Sequence, residues 1–379
     1  MNMVETIVVG GGPSGASAAC ALASAGRDVV LLERSAGPHH KVCGEFLSIE
    51  TQEILRQLGV DPVAHGAVPV ETVGIHIGRR QTAARLPFRA LSLSRLRLDQ
   101  ALLVRTREAG ADARTDVAVQ RVMRGDDHWE VQCADGPHLR SRNLILATGK
   151  QGLRGLRDSR DTSLVGLKMH LRLSRSRNAM LERRVDLFML DRSYVGLELV
   201  EDGVANLCLV MTRGLAQQVG SGWPALRAHL AAASSQLAEY LAAAEPQFDK
   251  PLAVVCPAGG HLDHESEPEA YRVGDRLAHI PPFTGDGLAI AVASGTLAAQ
   301  HIILGLPPKT YIAAARALLG RPIRLARIVS RLATSHAGRG LITGGSSLVP
   351  GLVAAVVRGT RLPALPMEGR DVSYAPVRA

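Results

Sequence analysis

Thr6-Ile7-Val8-Val9-Gly10-Gly11-Gly12-Pro13-Ser14-Gly15 is the stretch on which the fold turns. Thr6 to Val9 reads as a short buried strand. Gly10, Gly12 and Gly15 then satisfy G-x-G-x-x-G. An Ala/Ser-rich helix pattern runs from Ser14 to Ala25 and is stopped by Gly26. A second apolar strand, Val29 to Leu32, ends in Glu33. Each part has a physical role: Gly10 allows the tight turn, Gly12 lets backbone approach a pyrophosphate, and Gly15 lets the helix lie close to the strand. The helix N-terminus offers free N–H groups and a positive dipole end to phosphate. Glu33 stands where a carboxylate accepts hydrogen bonds from an adenosine ribose. The glycines alone would fit any glycine-rich turn. The ordered set predicts a βαβ dinucleotide-binding unit over about residues 4–34.

With 379 residues and 46% apolar content, the chain can bury large cores and make two domains or one elaborated domain. Cys20, Cys43, Cys133, Cys208 and Cys256 are scattered without a C-x-x-C pair, so neither a disulfide framework nor a zinc site is expected. No stretch approaches the roughly 20 apolar residues of a membrane span. The first strand begins at once, leaving no room for a secretory leader. A reducing, cytoplasmic setting is expected. The net charge is +9, but the arginines are distributed along the chain and aromatic residues make up only 3%. Stacking platforms for nucleic acid are therefore scarce. A solvated basic surface, or one facing an acidic substrate, carrier protein or membrane, accounts for the charge.

Patterning predicts helices over 49–58 and 95–109, a strand pair over 69–90, a hairpin through Gly125-Asp126-Asp127, and a buried strand ending at Ala147-Thr148-Gly149. The middle of the chain changes character. Segments 163–173, 185–190, 194–200 and 204–211 read as strands, followed by one long helix over 223–243. The chain is expected to return to the first domain near Pro251–Pro257. These readings give an α/β fold: a Rossmann-type nucleotide domain (1–70, 92–160 and 255–305), an inserted antiparallel-sheet substrate domain (71–91 and 161–254), and a C-terminal helical region (306–379).

A later motif separates the dinucleotides. Tyr271 to Asp275 ends a strand, and Pro282-Phe283-Thr284-Gly285-Asp286-Gly287-Leu288 opens a small-residue helix. A carboxylate at a strand end can hold a ribityl hydroxyl. Backbone N–H groups at Gly285 and Gly287, together with the helix dipole, can stabilise negative charge on a reduced flavin pyrimidine ring. FAD is the expected cofactor. The short run Gly338-Arg339-Gly340 makes no second dinucleotide fingerprint, so NAD(P)H is expected only as a transient electron donor.

The ordered motifs resemble those of the FAD-dependent oxidoreductases of the aromatic hydroxylase superfamily, and within it the geranylgeranyl reductase-like branch. The motifs are the N-terminal glycines with Glu33, Arg95-x-x-Leu98-Asp99, Ala147-Thr148-Gly149, Val273-Gly274-Asp275, and Pro282-x-x-Gly285-x-Gly287. The resemblance implies FAD held by Gly10, Gly12, Ser14, Gly15, Glu33, Arg95, Val117, Asp275, Gly285 and Gly287. It places Pro13, Arg34, Cys43, Gly44, Thr148, Gly149, Pro282 and Leu288 beside the cofactor as well. It also implies a sheet that forms the substrate cavity, for which Leu167, Met169, Phe188, Met189 and Leu197 are candidate wall residues.

Lys41-x-Cys43-Gly44-Glu45 is similar to a K-x-C-G segment of that branch. Cys43 reads either as a proton donor to a substrate carbon or as a small buried hydrophobe. His39 and His40 are candidate relays or plain loop histidines. The branch's Y-x-W-x-F-P motif is reduced here to Tyr194-Val195-Gly196-Leu197-Glu198. The W-x-W-x-I-P run of flavin halogenases is absent, the tryptophans being Trp129 and Trp223. Two reactions follow from the resemblance. One is C=C reduction of a largely apolar molecule of secondary or isoprenoid/polyketide metabolism. The other is hydroxylation of an aromatic or polyketide-type ring through a C4a-hydroperoxyflavin. A non-catalytic FAD-bound partner protein is the third class. The C-terminal arginine-bearing helices either pack on the nucleotide domain or rest on a membrane.

Overall fold

A computed structural model describes residues 3–136, 138–150, 153, 163–220, 222–256, 261–262, 269–281, 284–334 and 349–363. The chain starts with β1 (Met3–Val9), α1 (Pro13–Ser24) and β2 (Val29–Leu32). Next come β3 (Phe46–Leu47), α2 (Ile49–Gln57), β4 (Val68–Ile77), β5 (Arg80–Ser92) and α3 (Arg95–Glu108). The nucleotide half continues with β6 (Asp112–Arg114), β7 (Val119–Arg124), β8 (Trp129–Cys133) and β9 (Leu139–Leu146). The middle holds β10 (Leu164–Arg172), α4 (Arg175–Leu181), β11 (Arg184–Leu190), β12 (Ser193–Leu199) and β13 (Ala205–Thr212). Three short helices follow, α5 (Arg213–Val219), α6 (Trp223–Ala233) and α7 (Ser235–Leu241), then β14 (Glu245–Pro246) and β15 (Leu252–Cys256). The chain ends with β16 (His261–Leu262), β17 (Tyr271–Arg272), β18 (Ala278–His279), α8 (Gly287–Ile303), α9 (Pro308–Thr334) and α10 (Val349–Thr360).

Two large sheets organise the molecule. The first has the order β6-β2-β1-β9-β8-β7, with β17 also on β9. Its β1, β2, β6, β9 and β17 run parallel, while β7, β8 and β9 form an antiparallel meander. The apolar run Ile7-Val8-Val9 is buried on both faces, as strands covered on both sides must be. Helix α1 packs against α8 with almost no gap. A Cβ at Gly15 would overlap the Gly10 carbonyl, and one at Gly295 would overlap the Ser14 carbonyl. The first and last nucleotide motifs therefore close on each other, and Gly10 takes φ +110°, which glycine alone adopts freely.

The second sheet has the order β14-β10-β13-β12-β11-β4-β5-β3, with β15 also on β10. Two sequence expectations are corrected here. The segment near Pro251–Pro257 does not rejoin the first sheet; Leu252–Cys256 pairs antiparallel with β10, Lys168 facing Leu252. The long helix over 223–243 is two helices. Ser234 is extended (φ −152°, ψ 124°) and its hydroxyl accepts from the Leu237 N–H, so it caps α7 and cannot continue α6. Tyr271–Asp275 is likewise shorter as a strand than expected, because Gly274–Arg276 forms a 3₁₀ turn that carries Asp275.

Candidate functional site

The candidate nucleotide end lies at the carboxyl ends of the interior strands β1 and β2. No side chain caps α1, and Pro13 occupies its first turn, where a missing N–H costs nothing. The Glu33 carboxylate accepts from Gly11 N–H (2.7 Å) and Ser35 N–H (3.0 Å). Burial raises its pKa, but these two donors outweigh burial and hold it below the usual range, so it stays an acceptor. Gly11, Glu33, Lys41, Asp99 and Leu103 line a cleft here. Val117 lies beside Glu33, with its N–H on the Glu33 carbonyl at 2.9 Å. Arg34 is exposed.

Arg95 begins α3, after the cap Ser94. Its guanidinium grips Asp99 one turn on with two hydrogen bonds, 2.8 and 2.9 Å, while Lys41 Nζ reaches Asp99 at 2.9 Å. Asp275 pairs with Lys150 at 3.3 Å. Burial opposes ionisation of Asp275, and the Lys150 ammonium overcomes it, so this carboxyl sits below its ordinary range. Thr148 and Gly149 are half-buried beside Lys150. At the start of α8, a Cβ on Gly285 would crowd Phe46 at 2.8 Å, whereas one on Gly287 would meet nothing within 4 Å. The Leu288 side chain belongs to the core, so this residue can offer a ligand only its backbone. Pro282 lies outside the described residues.

The most constrained part of the site is the segment after Lys41. Glu45 is fully buried and has φ +59°, a conformation that non-glycine residues rarely take. Its side chain explains why it holds. Oε1 accepts from Arg95 N–H at 2.6 Å and from Lys168 Nζ, and His170 Nε2 lies 2.9 Å from Oε2. Its carbonyl accepts from Leu93 N–H (3.0 Å) and Ser92 Oγ (3.3 Å). Glu45 thus pins one turn to α3 on one side and to the second sheet on the other. Burial would raise its carboxyl, but the His170 bond and the Lys168 charge outweigh burial and keep it ionised.

This pin presents Cys43 and Gly44. Cys43 Sγ lies 3.3 Å from the Glu45 N–H, its carbonyl accepts from Asn206 Nδ2 at 3.2 Å, and its thiol interacts with Arg95. Gly44 is exposed, and a Cβ there would meet nothing within 4 Å. Of the two neighbouring histidines, His39 is exposed, and His40 stacks edge-on against His170 at 4.8 Å. Nitrogen and oxygen atoms of His40, Glu45 and His170 lie within 4.8 Å of one another. Lys168 supplies a positive charge to the shared carboxylate at the place a metal ion would need.

Strand parity decides which side chains face this segment. Residues opposite each other across an antiparallel ladder share a face. Lys168 is opposite Cys208, His170 opposite Asn206, Asn206 opposite Glu198, Cys208 opposite Gly196, and Tyr194 opposite Met189. All therefore lie on the face that carries Glu45 and Cys43. Leu167, Met169, Phe188 and Leu197 lie on the other face, in a core closed by α6 and α7. Of the expected wall residues, Met189 alone is on the face that carries Glu45 and Cys43. Lys168, His170, Glu198 and Asn206 were missed, although a lysine and a histidine two apart within an apolar strand were a visible signal. The places of Trp and Phe in the reductase-like motif are here Gly196 and Glu198, both on the cavity face. Burial drives the Glu198 carboxyl well above its ordinary pKa, and the Glu45 charge adds to this, both favouring the neutral form.

The donor set suits FAD. The N-terminus of α1 is uncapped, Glu33 is held as an acceptor, and a Cβ at Gly12, Gly44 or Gly287 would meet open space or only the tip of Arg95, which leaves backbone open to a ligand at each.

Comparison with known proteins agrees. Residues 3–153 match the FAD binding domain family. The menaquinone reductase of Mycobacterium tuberculosis is 24% identical over 321 residues, covering 79% of this chain and 76% of that protein. Digeranylgeranylglycerophospholipid reductase 2 of Methanopyrus kandleri is 31% identical over 150 residues, 38% of this chain and 37% of that protein. Among solved structures, a flavoprotein/dehydrogenase of Cytophaga hutchinsonii superposes with a TM-score of 0.76 at 17% identity, over 94% of this chain and 93% of that one. The flavin-dependent brominase Bmp2 gives 0.75 at 17% identity, over 94% of each chain. At such identity the structural likeness is one of fold.

Proposed function

We propose that this FAD-dependent oxidoreductase reduces a C=C bond in a largely apolar, prenyl-type substrate, the proton coming from the Cys43 side of the cavity. The observation that carries the reading is the seat of Cys43, pinned through Glu45 between α3 and the sheet face that lines the cavity. The menaquinone reductase relative supports reduction and suggests a prenylated quinone as the first probe.

FAD bound there, once reduced by NAD(P)H or another donor, would supply the hydride that, with one proton, saturates the double bond. The chain's own residues do the rest. Gly10 to Gly15, Glu33 and Arg95 hold the nucleotide. Glu45 fixes the Cys43 thiol, which gives its proton to the second carbon and is reprotonated from solvent at the exposed Gly44 turn. Leu187, Met189 and Gly196 form an apolar strip on that face, and Gly196 stands where the reductase-like motif has a Trp.

The test is to incubate reduced, FAD-loaded protein with menaquinone under argon and read product mass. A gain of two hydrogens that persists after the quinone ring has been reoxidised in air is expected. Absence of change under argon, with oxygen-atom incorporation when labelled O₂ is admitted, would establish the monooxygenase reading instead.

A further inference from the structure

The net charge resides in one stretch. From Gly287 to Met367 there is no Asp or Glu, against nine Lys and Arg. The other 35 basic residues balance all 35 acidic ones, so this stretch carries the whole +9. The arginines are spread along the chain, as the composition suggested, but the acids that neutralise them are not. Among the described residues this stretch makes one ion pair, Arg361 with Asp286.

Helix α9 displays the excess. Lys309, Arg316, Arg321, Arg324 and Arg327 are all exposed. At about 3.6 residues per turn they fall within an arc of about 140°. The opposite arc, including Tyr311, Leu318, Leu319 and Ile323, is buried in the core. Apolar side chains accompany the cations. Ile328 is 55% exposed, Ala313 and Ala317 lie on the same arc, and the turn before the helix exposes Leu304 (60%) and Leu306 (38%).

We propose that the exposed face of α9 docks on an anionic lipid bilayer. Uniform positive sign, no acid to pair with a partner's cations, and exposed aliphatic side chains among the arginines together describe an interfacial helix. A docking protein would be met by mixed charge. Among the described residues no helix is long and apolar enough to cross a membrane, so the contact is made from one side. The stretch runs from α8, at the FAD loop, to α10, where Arg361 stacks on Phe88 of the second sheet at 5.2 Å. A prenyl-type substrate would suit such docking if the function proposed above holds, but the uniform charge and exposure of α9 do not depend on it.

Vesicle flotation of the FAD-loaded full chain tests this without any turnover, so it is independent of the reaction proposed above. Binding is expected to phosphatidylcholine vesicles containing phosphatidylglycerol, weakening steeply with salt, and not to phosphatidylcholine alone. The R316Q/R321Q/R324Q/R327Q variant should lose about fivefold in affinity per arginine, several hundred-fold in all. Its FAD content and Tm should be unchanged, because these side chains are exposed. The corresponding Arg→Lys variant should bind as wild type, and R121Q/R142Q/R172Q/R175Q, elsewhere on the surface, should bind nearly as well. Equal binding to neutral vesicles, failure to bind anionic ones, or equal loss in both glutamine variants would overturn the proposal. Selective capture of an acidic carrier protein without vesicle binding would overturn it in favour of a protein partner.

Discussion

Glu45 carries more of the site than any other residue. Its Oε1, Oε2 and carbonyl are all committed, to α3, to β10 and to the end of β5. Glu45→Gln would leave Lys168 buried without a counter-charge, a loss expected to cost about 3–5 kcal/mol in denaturant melts. The native pair has an acid limit. The Glu45 carboxyl lies below its ordinary value of 4.5, so its contribution is complete above that pH and is lost as pH falls through the folded value. Glu198 works in the other direction. Its pKa is raised, so between pH 4.5 and the folded value the unfolded chain releases a proton that the folded chain keeps, and stability falls as pH rises. Glu198→Gln is therefore expected to melt like wild type near pH 4 and to gain on it above, by about 1.4 kcal/mol per pH unit. A difference in Tm that stays constant with pH would show that Glu198 is ionised in the fold.

The arrangement of strands turns alternation into specificity. Leu197 and Gly196 are neighbours in sequence but serve different structures, one the helix-backed core, the other the cavity. Leu197→Ala should destabilise the protein by about 2–5 kcal/mol, with KM for the substrate unchanged. Gly196→Trp should leave Tm nearly unchanged and raise KM at least about tenfold, since an aromatic ring would fill space the substrate needs. Interchanged results would mean that the parity assignment is reversed. The same alternation marks what sequence reading reaches. The glycine fingerprint, Glu33 and the Val273-Gly274-Asp275 motif were legible because local spacing fixes their geometry. Their convergence appears as Gly274 against Ser14, where an added Cβ would meet Oγ at 2.7 Å. The cavity lining was not legible, because which face of a strand turns inward depends on what packs behind it. The break at Ser234 was also hidden, since the Ala/Leu pattern continues across a residue whose hydroxyl decides for capping.

At the scale of the whole molecule, the C-terminal helices are tied to the glycine loop that opens α8. Arg361 pairs with Asp286, the residue before α8, and also reaches the Thr284 carbonyl at 3.1 Å. Burial pushes the Asp286 carboxyl up to about 7 even against the Arg361 charge. Arg361→Met should therefore destabilise the protein more at pH 8, where it strands a buried carboxylate, than at pH 5, where Asp286 is neutral. The difference should approach the roughly 3–5 kcal/mol cost of an uncompensated buried charge. Urea melts of the variant at both pH values check this, and an equal loss at the two would place the role of Arg361 in packing on Phe88.

Saturation of a C=C bond by reduced flavin and a Cys43 proton is the reaction proposed for this site. Its most direct test is stopped-flow mixing of reduced, FAD-loaded protein with a prenylated quinone in the absence of oxygen, following flavin reoxidation in wild type and Cys43→Ala. Oxygen-independent reoxidation matched by loss of C=C bonds is expected. The variant is expected to keep its FAD and to reoxidise about 10²–10⁴ times more slowly. Equal rates in the two proteins, or flavin that stays reduced until oxygen is admitted, would contradict this reaction.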